Sequence, residues 1–305
     1  MLGGDWLVKG AVALAERMGI SPLVIGLTIV ALGTSAPELV ISIRAAFAGE
    51  GSLAIGNVVG SNIANVLLVL GAPALLATMH STDDDLKPSL FFVTGLTVAF
   101  MLQLYWGPVT YVDGLLLLAC LFAFLVQQYI SAQKQTQSQQ EQHSADYHEE
   151  LGELPQSTTS IIRSLVIGFV ALPVGAALTV DNAVEIAMQW HVPSEIIGLT
   201  VIAIGTSLPE LATGIMAARH GNTSVAIGNV IGSNFFNIAA IMGLTATAAG
   251  LLQVGEHIVI FDMWVMLAST LLLVIIALLK ASINRTIGVL FLASYLVYLV
   301  STFII

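Results

Sequence analysis

The 305-residue sequence has few charged residues and almost no cysteine. Charged residues make up 9% of the chain, against about a quarter in soluble domains. The lone cysteine, Cys120, excludes a disulfide framework and a cysteine metal site, and the six histidines lack the i, i+4 spacing of a zinc helix. The sequence contains neither a Ser/His/Asp set nor a GxSxG motif, so it does not indicate an enzyme. We therefore expect no cofactor, no nucleic-acid ligand and no protein partner.

Long hydrophobic runs dominate the sequence instead. Hydrophobic residues make up 57% of the chain, and the mean hydropathy is +0.93. A membrane-spanning helix needs roughly 20 apolar residues, and the chain contains about ten such stretches. We place them near residues 2–19, 22–47, 51–78, 88–106, 109–130, 160–189, 195–218, 223–250, 256–279 and 284–304. The sequence thus predicts an all-α polytopic membrane protein with the bilayer as its surroundings.

A polar segment divides these stretches into two groups of five. Residues 131–157 are rich in glutamine, serine and acidic residues, which predicts a solvated linker. The first five-helix repeat then covers residues 1–130, and the second covers residues 158–305. Most lysine and arginine residues fall on the side of the linker, which the positive-inside rule assigns to the cytoplasm. We expect a multi-pass protein of the cytoplasmic (inner) membrane with an external N-terminus.

One segment of the sequence occurs twice. Residues 26–65 and 198–237 align without a gap, and 24 of the 40 positions are identical. The copies begin GLTIVALGTSAPEL and GLTVIAIGTSLPEL. Five predicted crossings separate Glu38 from Glu210, so the two copies should have opposite orientations in the membrane. Inverted repeats recur in secondary transporters, which bind substrate near the midplane.

The repeat also predicts an incomplete first helix. Leu2 aligns with Val174, and the second half has a further apolar segment, IIRSLVIGFVAL, before that position. We therefore expect the first helix to be truncated relative to its counterpart. Either the start of the chain is assigned too late, or the protein tolerates a short first span.

Each copy combines a helix-breaking proline with a glutamate. Pro37 has no N–H, and its ring clashes with the carbonyl of Gly33, so the helix should open there; Pro209 repeats this arrangement. Glu38 and Glu210 would each cost about 2.5 kcal/mol or more if charged and unpaired at a helix centre. Neither repeat has a lysine or arginine at a comparable depth. We therefore expect a bound cation to neutralise the two acids.

Hydroxyl and amide side chains accompany the glutamates. The hydroxyls beside the two breaks belong to Thr34, Ser35, Thr206 and Ser207, and two polar stripes at i, i+4, i+8 spacing follow at Asn57, Ser61, Asn65 and at Asn229, Ser233, Asn237. Each stripe shares one helix face. Oxygen ligands suit Ca²⁺ and the similarly hard Na⁺, whereas the absence of sulfur and imidazole argues against zinc or copper.

A GxxxG spacing runs beside each polar stripe. The glycine pairs are Gly56 with Gly60 and Gly228 with Gly232. This spacing lets helix backbones approach closely in a membrane. We expect the close packing to bring the polar stripes to the glutamates.

The other charges near the predicted spans are expected to be local. Asp5 with Lys9, and Asp181 with Glu185, have i, i+4 spacing and should pair locally or lie near the interface. A secondary role in ion access is the alternative for these pairs. Asp113 and Asp262 are expected to lie in interfacial water.

The GTSxPE and GSNxxN motifs, placed on paired inverted repeats, resemble the alpha repeats of the sodium/calcium exchanger branch of the cation/Ca²⁺ antiporter superfamily. The resemblance covers nearly the whole chain. Prokaryotic members have ten helices in two groups of five joined by a cytoplasmic loop. The resemblance implies exchange of Ca²⁺ for Na⁺ by alternating access, with the two ions competing for overlapping sites.

The resemblance also implies a set of ion ligands. The central carboxylates would be Glu38 and Glu210, with Thr34, Ser35, Thr206 and Ser207 alongside, and the flanking ligands would be Ser61, Asn65, Ser233 and Asn237. Some relatives, including potassium-dependent exchangers, have aspartate in place of Asn237, so we do not expect a potassium requirement. Ca²⁺/H⁺ exchange by the same glutamates is the main alternative. A passive cation channel is disfavoured by the inverted broken helices.

Overall fold

The computed structural model describes residues 2–80, 86–133, 154–189, 202–302 and 304. This part of the chain is helical apart from short connections and two strands of two residues. The predicted linker, residues 131–157, lies mostly outside the described residues. Its first residues extend the helix that ends at Gln133.

The described helices follow in chain order. They are α1 (Leu2–Met18), α2 (Pro22–Thr34), α3 (Ala36–Phe47), α4 (Gly51–Leu75), α5 (Leu86–Trp106), α6 (Tyr111–Gln133), α7 (Thr158–Gln189), α8 (Ala203–Thr206), α9 (Leu208–Arg219), α10 (Thr223–Ala249), α11 (Ile258–Leu278) and α12 (Arg285–Ser301). Wider π turns occur within α2 at Gly26–Val30, within α4 at Asn65–Val69, within α10 at Asn237–Met242 and within α11 at Ile258–Asp262. Strand β1 (Val109–Thr110) precedes α6, and strand β2 (Leu251–Leu252) follows α10.

Each predicted span coincides with helix, although the seventh is described only from residue 202. Six of the described helices are long and apolar enough to cross a membrane, and α2 with α3 forms a seventh span if this bent pair is counted as one. Helices α1 and α12 are shorter, with 17 residues each. The prediction of an all-α polytopic membrane protein is confirmed.

The first helix of each half differs in length. Helix α1 has 17 residues, and α7, its counterpart in the repeat alignment, has 32. The two helices pack closely, because glycines face the partner helix at the crossing. A Cβ atom on Gly168 would lie 2.6 Å from Cβ of Leu7, and one on Gly10 would lie 3.1 Å from the Leu165 side chain. The idea that the first helix lacks residues before Met1 stays a prediction.

Two backbone bridges relate the halves to each other. Thr110 pairs with Leu251 in the antiparallel contact between β1 and β2. Met79 pairs with Ile283 through two backbone hydrogen bonds of 3.0 and 2.8 Å. Met79 and Leu251 are equivalent positions, 172 residues apart like the two sequence copies. Each bridge therefore joins one half to the other, and their partner positions, Ile283 and Thr110, correspond to within one residue.

Helices α4 and α10 lie at the centre of the bundle. The apolar stretch of α10 is fully buried, and that of α4 is mostly buried, whereas α6 and α7 expose most of theirs. Gly228 and Gly232 let α10 approach the backbone of α2, since a Cβ on Gly232 would lie only 2.5 Å from the carbonyl oxygen of Leu27. The second GxxxG spacing thus permits the close packing that the sequence predicts.

Candidate ion-binding site

Both copies of the repeat interrupt their helix at a serine. Ser35 has φ −82° and ψ 10°, and it separates α2 from α3 at a bend of 45°. Ser207 has φ −82° and ψ 3° and separates α8 from α9. Proline occupies the first turn after each break, as predicted from its missing N–H. Glu38 and Glu210 also lie in these first turns, where the helix dipole favours a negative charge.

The two glutamates are completely buried and interact with side chains of the opposite repeat. Both have 0% exposed surface, and they are near enough to interact electrostatically. Ser35 Oγ donates a hydrogen bond of 3.0 Å to Glu210 Oε1, and Thr206 lies beside Glu38. Ser233 Oγ is 3.5 Å from Glu210 Oε1. Each break therefore places a hydroxyl side chain beside the acid of the other half.

Two asparagines of the polar stripes bind protein groups at the breaks. Asn57 Nδ2 donates to the backbone oxygen of Glu38 at 3.2 Å and to Ser42 Oγ at 2.9 Å. Thr34 Oγ1 donates to Asn229 Oδ1 at 3.2 Å. These contacts hold the break of the first repeat against α4 and α10. Ser42 was not predicted from the sequence, although its position one turn after Glu38 places it on the same helix face.

Four further amides form a network between α4 and α10. Asn62 Nδ2 donates to the backbone oxygen of Asn234 at 3.2 Å, and Asn234 Nδ2 donates to that of Asn62 at 3.2 Å. Asn65 Nδ2 donates to Asn234 Oδ1 at 3.0 Å, and Asn237 Nδ2 donates to Asn62 Oδ1 at 2.9 Å. Asn62 and Asn234 lie off the predicted stripe. Their presence in both copies of the GSN motif was the available signal.

Several oxygen atoms of this region are buried without a hydrogen-bond partner among the described residues. Within the predicted ligand set they are Glu38 Oε1 and Oε2, Glu210 Oε2, Ser61 Oγ, Ser207 Oγ, Asn65 Oδ1 and Asn237 Oδ1. Buried polar atoms are normally paired, and an unpaired one costs about 1–3 kcal/mol. All of these atoms can accept, so one cation could satisfy several of them together.

Basic side chains do not compensate the two acids within the described part of the chain. The ion pairs found there join Asp5 to Lys9 and His220, and Asp262 to His257. Neither Glu38 nor Glu210 takes part in one. The region therefore has two acidic groups in a buried, oxygen-lined environment.

All ten predicted site residues are buried, and they come from four parts of the structure. The breaks contribute Thr34, Ser35 and Glu38 in one half and Thr206, Ser207 and Glu210 in the other, while α4 contributes Ser61 and Asn65 and α10 contributes Ser233 and Asn237. Their role as ion ligands stays a prediction.

The expectation that Asp262 lies in interfacial water was wrong. It is only 3% exposed, and it accepts hydrogen bonds from Tyr298 Oη at 3.0 Å and from the His257 ring at 2.8 Å. The π turn at Ile258–Asp262 ends at this residue of α11, which contacts α12 through Tyr298. These two partners replace the water that was expected around the carboxylate.

The other charges near the spans make both local and long-range contacts. Asp5 pairs with Lys9 at 3.3 Å, as expected, and also contacts His220 Nε2 at 2.6 Å, which links α1 to the end of α9. Asp113 is half-buried and accepts from the backbone N–H of Thr110 at 2.8 Å near the start of α6. The side chain of Asp181 lies outside the described residues.

The fold and the site together define a class of membrane protein. Each half carries one copy of the repeated segment with a broken helix, and the breaks bring two buried acids near each other. Interrupted helices at an interface between inverted repeats are the construction of secondary transporters.

Comparison with known proteins gives the family. The family model described as "Sodium/calcium exchanger protein" matches residues 1–130 and 161–304, and the chain belongs to this family. The chain is 36% identical to the sodium/calcium exchanger MaX1 of Methanosarcina acetivorans, over 99% of this chain and 95% of that protein. It is 38% identical to the inner membrane protein YrbG of Escherichia coli, over 79% of this chain and 74% of that protein.

A solved structure supports the same relationship. The sodium-calcium exchanger NCX_Mj, in crystals soaked with Na⁺ and Sr²⁺, matches with a TM-score of 0.83 and 30% identity, over 98% of this chain and 94% of that chain. The protein is therefore a multi-pass transporter of the cytoplasmic membrane, as its apolar helices and family membership require.

Proposed function

We propose that this protein exchanges Ca²⁺ for Na⁺ across the cytoplasmic membrane by alternating access, with the ions bound between Glu38 and Glu210. The observation that carries the proposal is the pair of fully buried carboxylates from opposite repeats. Three of their four oxygens have no hydrogen-bond partner among the described residues. The names of the relatives MaX1 and NCX_Mj, both sodium/calcium exchangers, support the choice of ions.

The chemistry of the surrounding atoms suits both ions. Ca²⁺ accepts six to eight oxygen ligands in flexible geometry, and carboxylate, hydroxyl and amide oxygens are all suitable. Na⁺ is also a hard cation that binds oxygen. One Ca²⁺ or two Na⁺ would balance two carboxylates, so either substrate leaves the buried site neutral.

Charge balance also gives a reason for exchange. An empty site would leave two uncompensated acids in a medium of low dielectric, which is costly. A conformational change through the empty state is therefore unfavourable, and the return step is easier with the second ion bound. This requirement couples the movement of one ion to that of the other, whereas a passive channel needs no such coupling.

Transport by the purified protein tests the proposal. Proteoliposomes are loaded with Na⁺ and diluted into medium without Na⁺ that contains radioactive Ca²⁺, with a pH gradient or no gradient in parallel samples. We expect Ca²⁺ uptake only with the Na⁺ gradient. Uptake that follows the pH gradient alone would replace Na⁺ by H⁺ as the counter-ion, and flux without any counter-ion would indicate a channel.

A further inference from the structure

The four-asparagine network between α4 and α10 assigns a role to two residues outside the expected ligand set. We propose that Asn62 and Asn234 are positioning residues that turn the amides of Asn237 and Asn65, respectively, so that each presents its oxygen to the cation. The inference rests on the proposed function, since it names what orients two of the predicted ligands.

Backbone carbonyl groups fix which way the amides of Asn62 and Asn234 are turned. The amide of Asn62 faces the backbone oxygen of Asn234, and the amide of Asn234 faces that of Asn62, both at 3.2 Å. A carbonyl oxygen only accepts hydrogen bonds, so each side chain must turn its NH₂ group toward it. The Oδ1 atoms of Asn62 and Asn234 then point away from these carbonyls.

The orientation of Asn62 and Asn234 in turn fixes the orientation of the amides of Asn237 and Asn65. Oδ1 of Asn62 is 2.9 Å from the amide of Asn237, and Oδ1 of Asn234 is 3.0 Å from that of Asn65. Because these oxygens also only accept, Asn237 and Asn65 must turn their NH₂ groups toward them. Their own Oδ1 atoms remain, and both are buried without a partner among the described residues.

The helix that carries Asn237 contacts one of the carboxylates. Ser233, one helical turn before Asn237 on α10, is 3.5 Å from Glu210 Oε1. An amide oxygen in this region can bind a cation, whereas an NH₂ group in the same place would repel it. The two ends of an amide have nearly the same shape, so packing alone does not choose between them. The choice comes from Asn62 and Asn234.

The network is crossed between the repeats. Asn62 belongs to the first repeat and orients a residue of the second, while Asn234 does the reverse. A purely structural role, in which the two residues only hold α4 against α10, predicts no such crossed dependence. Double-mutant cycles separate the two roles, because they measure whether two side chains act through each other.

The test measures Ca²⁺ binding to the purified protein by calorimetry, together with the KM for Ca²⁺ in proteoliposomes. We expect Asn62→Ala to weaken Ca²⁺ binding roughly tenfold with little change in maximal rate. In an Asn237→Ala background, Asn62→Ala should have no further effect on binding. In an Asn65→Ala background, it should retain its full effect. The second cycle tests Asn234→Ala in the same way: it should have no further effect in an Asn65→Ala background and its full effect in an Asn237→Ala background.

The possible results are distinct. Equal effects of Asn62→Ala in both backgrounds, with Ca²⁺ binding by the unmutated protein intact, would overturn the positioning role and leave the proposed function standing. An unmutated protein that neither binds nor transports Ca²⁺ would overturn both. Should the alanine variant not fold, Asn62→Leu, which keeps the side-chain volume, takes its place in the same cycles with the same expected results.

Discussion

Ser35 donates a hydrogen bond of 3.0 Å to Glu210, a residue 175 positions further along the chain and in the opposite repeat. The serine lies at the break between α2 and α3, and the glutamate lies in the first turn of α9. Neither half therefore completes the surroundings of its own carboxylate. The acidic site forms only where the two repeats meet.

Removal of either central charge should abolish exchange. Glu38→Gln or Glu210→Gln leaves one carboxylate, which no longer balances a Ca²⁺ ion in a buried site. We expect Na⁺-driven Ca²⁺ uptake to fall to the level of protein-free liposomes, with the protein still monodisperse in detergent. Glu50→Gln is the matched control, since Glu50 is exposed before α4. Normal uptake by either central variant would remove the basis of the proposed site.

The hydroxyl of Ser35 should contribute to ion affinity. Ser35→Ala removes the 3.0 Å hydrogen bond to Glu210 Oε1 and keeps the longer contact from Ser233, at 3.5 Å. Hydrogen bonds to charged groups contribute about 1.5–3 kcal/mol. We therefore expect the KM for Ca²⁺ to rise roughly tenfold or more. Ser301→Ala, which loses only a bond to the backbone oxygen of Val297, serves as the control. An unchanged KM in Ser35→Ala would show that this contact does not affect binding.

A methyl group at the centre of the bundle should destabilise the fold. In Gly232→Ala, the new Cβ would lie 2.5 Å from the carbonyl oxygen of Leu27 and 2.7 Å from Cβ of Ala31. Such overpacking costs about 1–3 kcal/mol, and we expect a lower Tm in detergent. Gly95→Ala is the control, because its Cβ would have no neighbour within 4 Å. Equal Tm values for the two variants would contradict the close approach of α2 and α10.

Tyr298 should stabilise the buried carboxylate of Asp262. Tyr298→Phe removes the hydrogen bond of 3.0 Å to Asp262 Oδ1 and leaves a buried acceptor without that partner, at a cost of about 1–3 kcal/mol. The Tm should fall, while the KM for Ca²⁺ should change little, since Asp262 lies outside the predicted ligand set. Tyr295→Phe makes the same chemical change at a neighbouring buried tyrosine of α12. A larger loss of Tm in Tyr295→Phe than in Tyr298→Phe would contradict the stabilising role of the hydrogen bond from Tyr298 to Asp262.

The features that the sequence predicted correctly depend on local chemistry. Long apolar stretches locate the spans, because the bilayer leaves few other options for such segments. Pro37 and Pro209 locate the helix breaks because proline cannot donate the helical hydrogen bond. The duplication then indicates which acids belong together. These inferences require no knowledge of how the helices face each other.

The features that the sequence did not predict depend on distant contacts. Asn62 and Asn234 meet across 172 residues, and spacing within one helix does not reveal the face that a neighbouring helix will cover. Asp262 was expected in water because it lies near the start of a predicted span. Its burial depends on Tyr298, which is 36 residues away on the next helix.

The backbone bridges at Met79–Ile283 and Thr110–Leu251 have a mechanical consequence. Each ties the chain that follows a central helix to the chain that precedes an outer one, α4 to α12 and α10 to α6. Separating these helices would break backbone hydrogen bonds, whereas the contacts between α1 and α7 are made by glycines, apolar side chains and the Arg163–Trp6 pair. We therefore expect the bridged helices to keep their relative positions when α1 and α7 move.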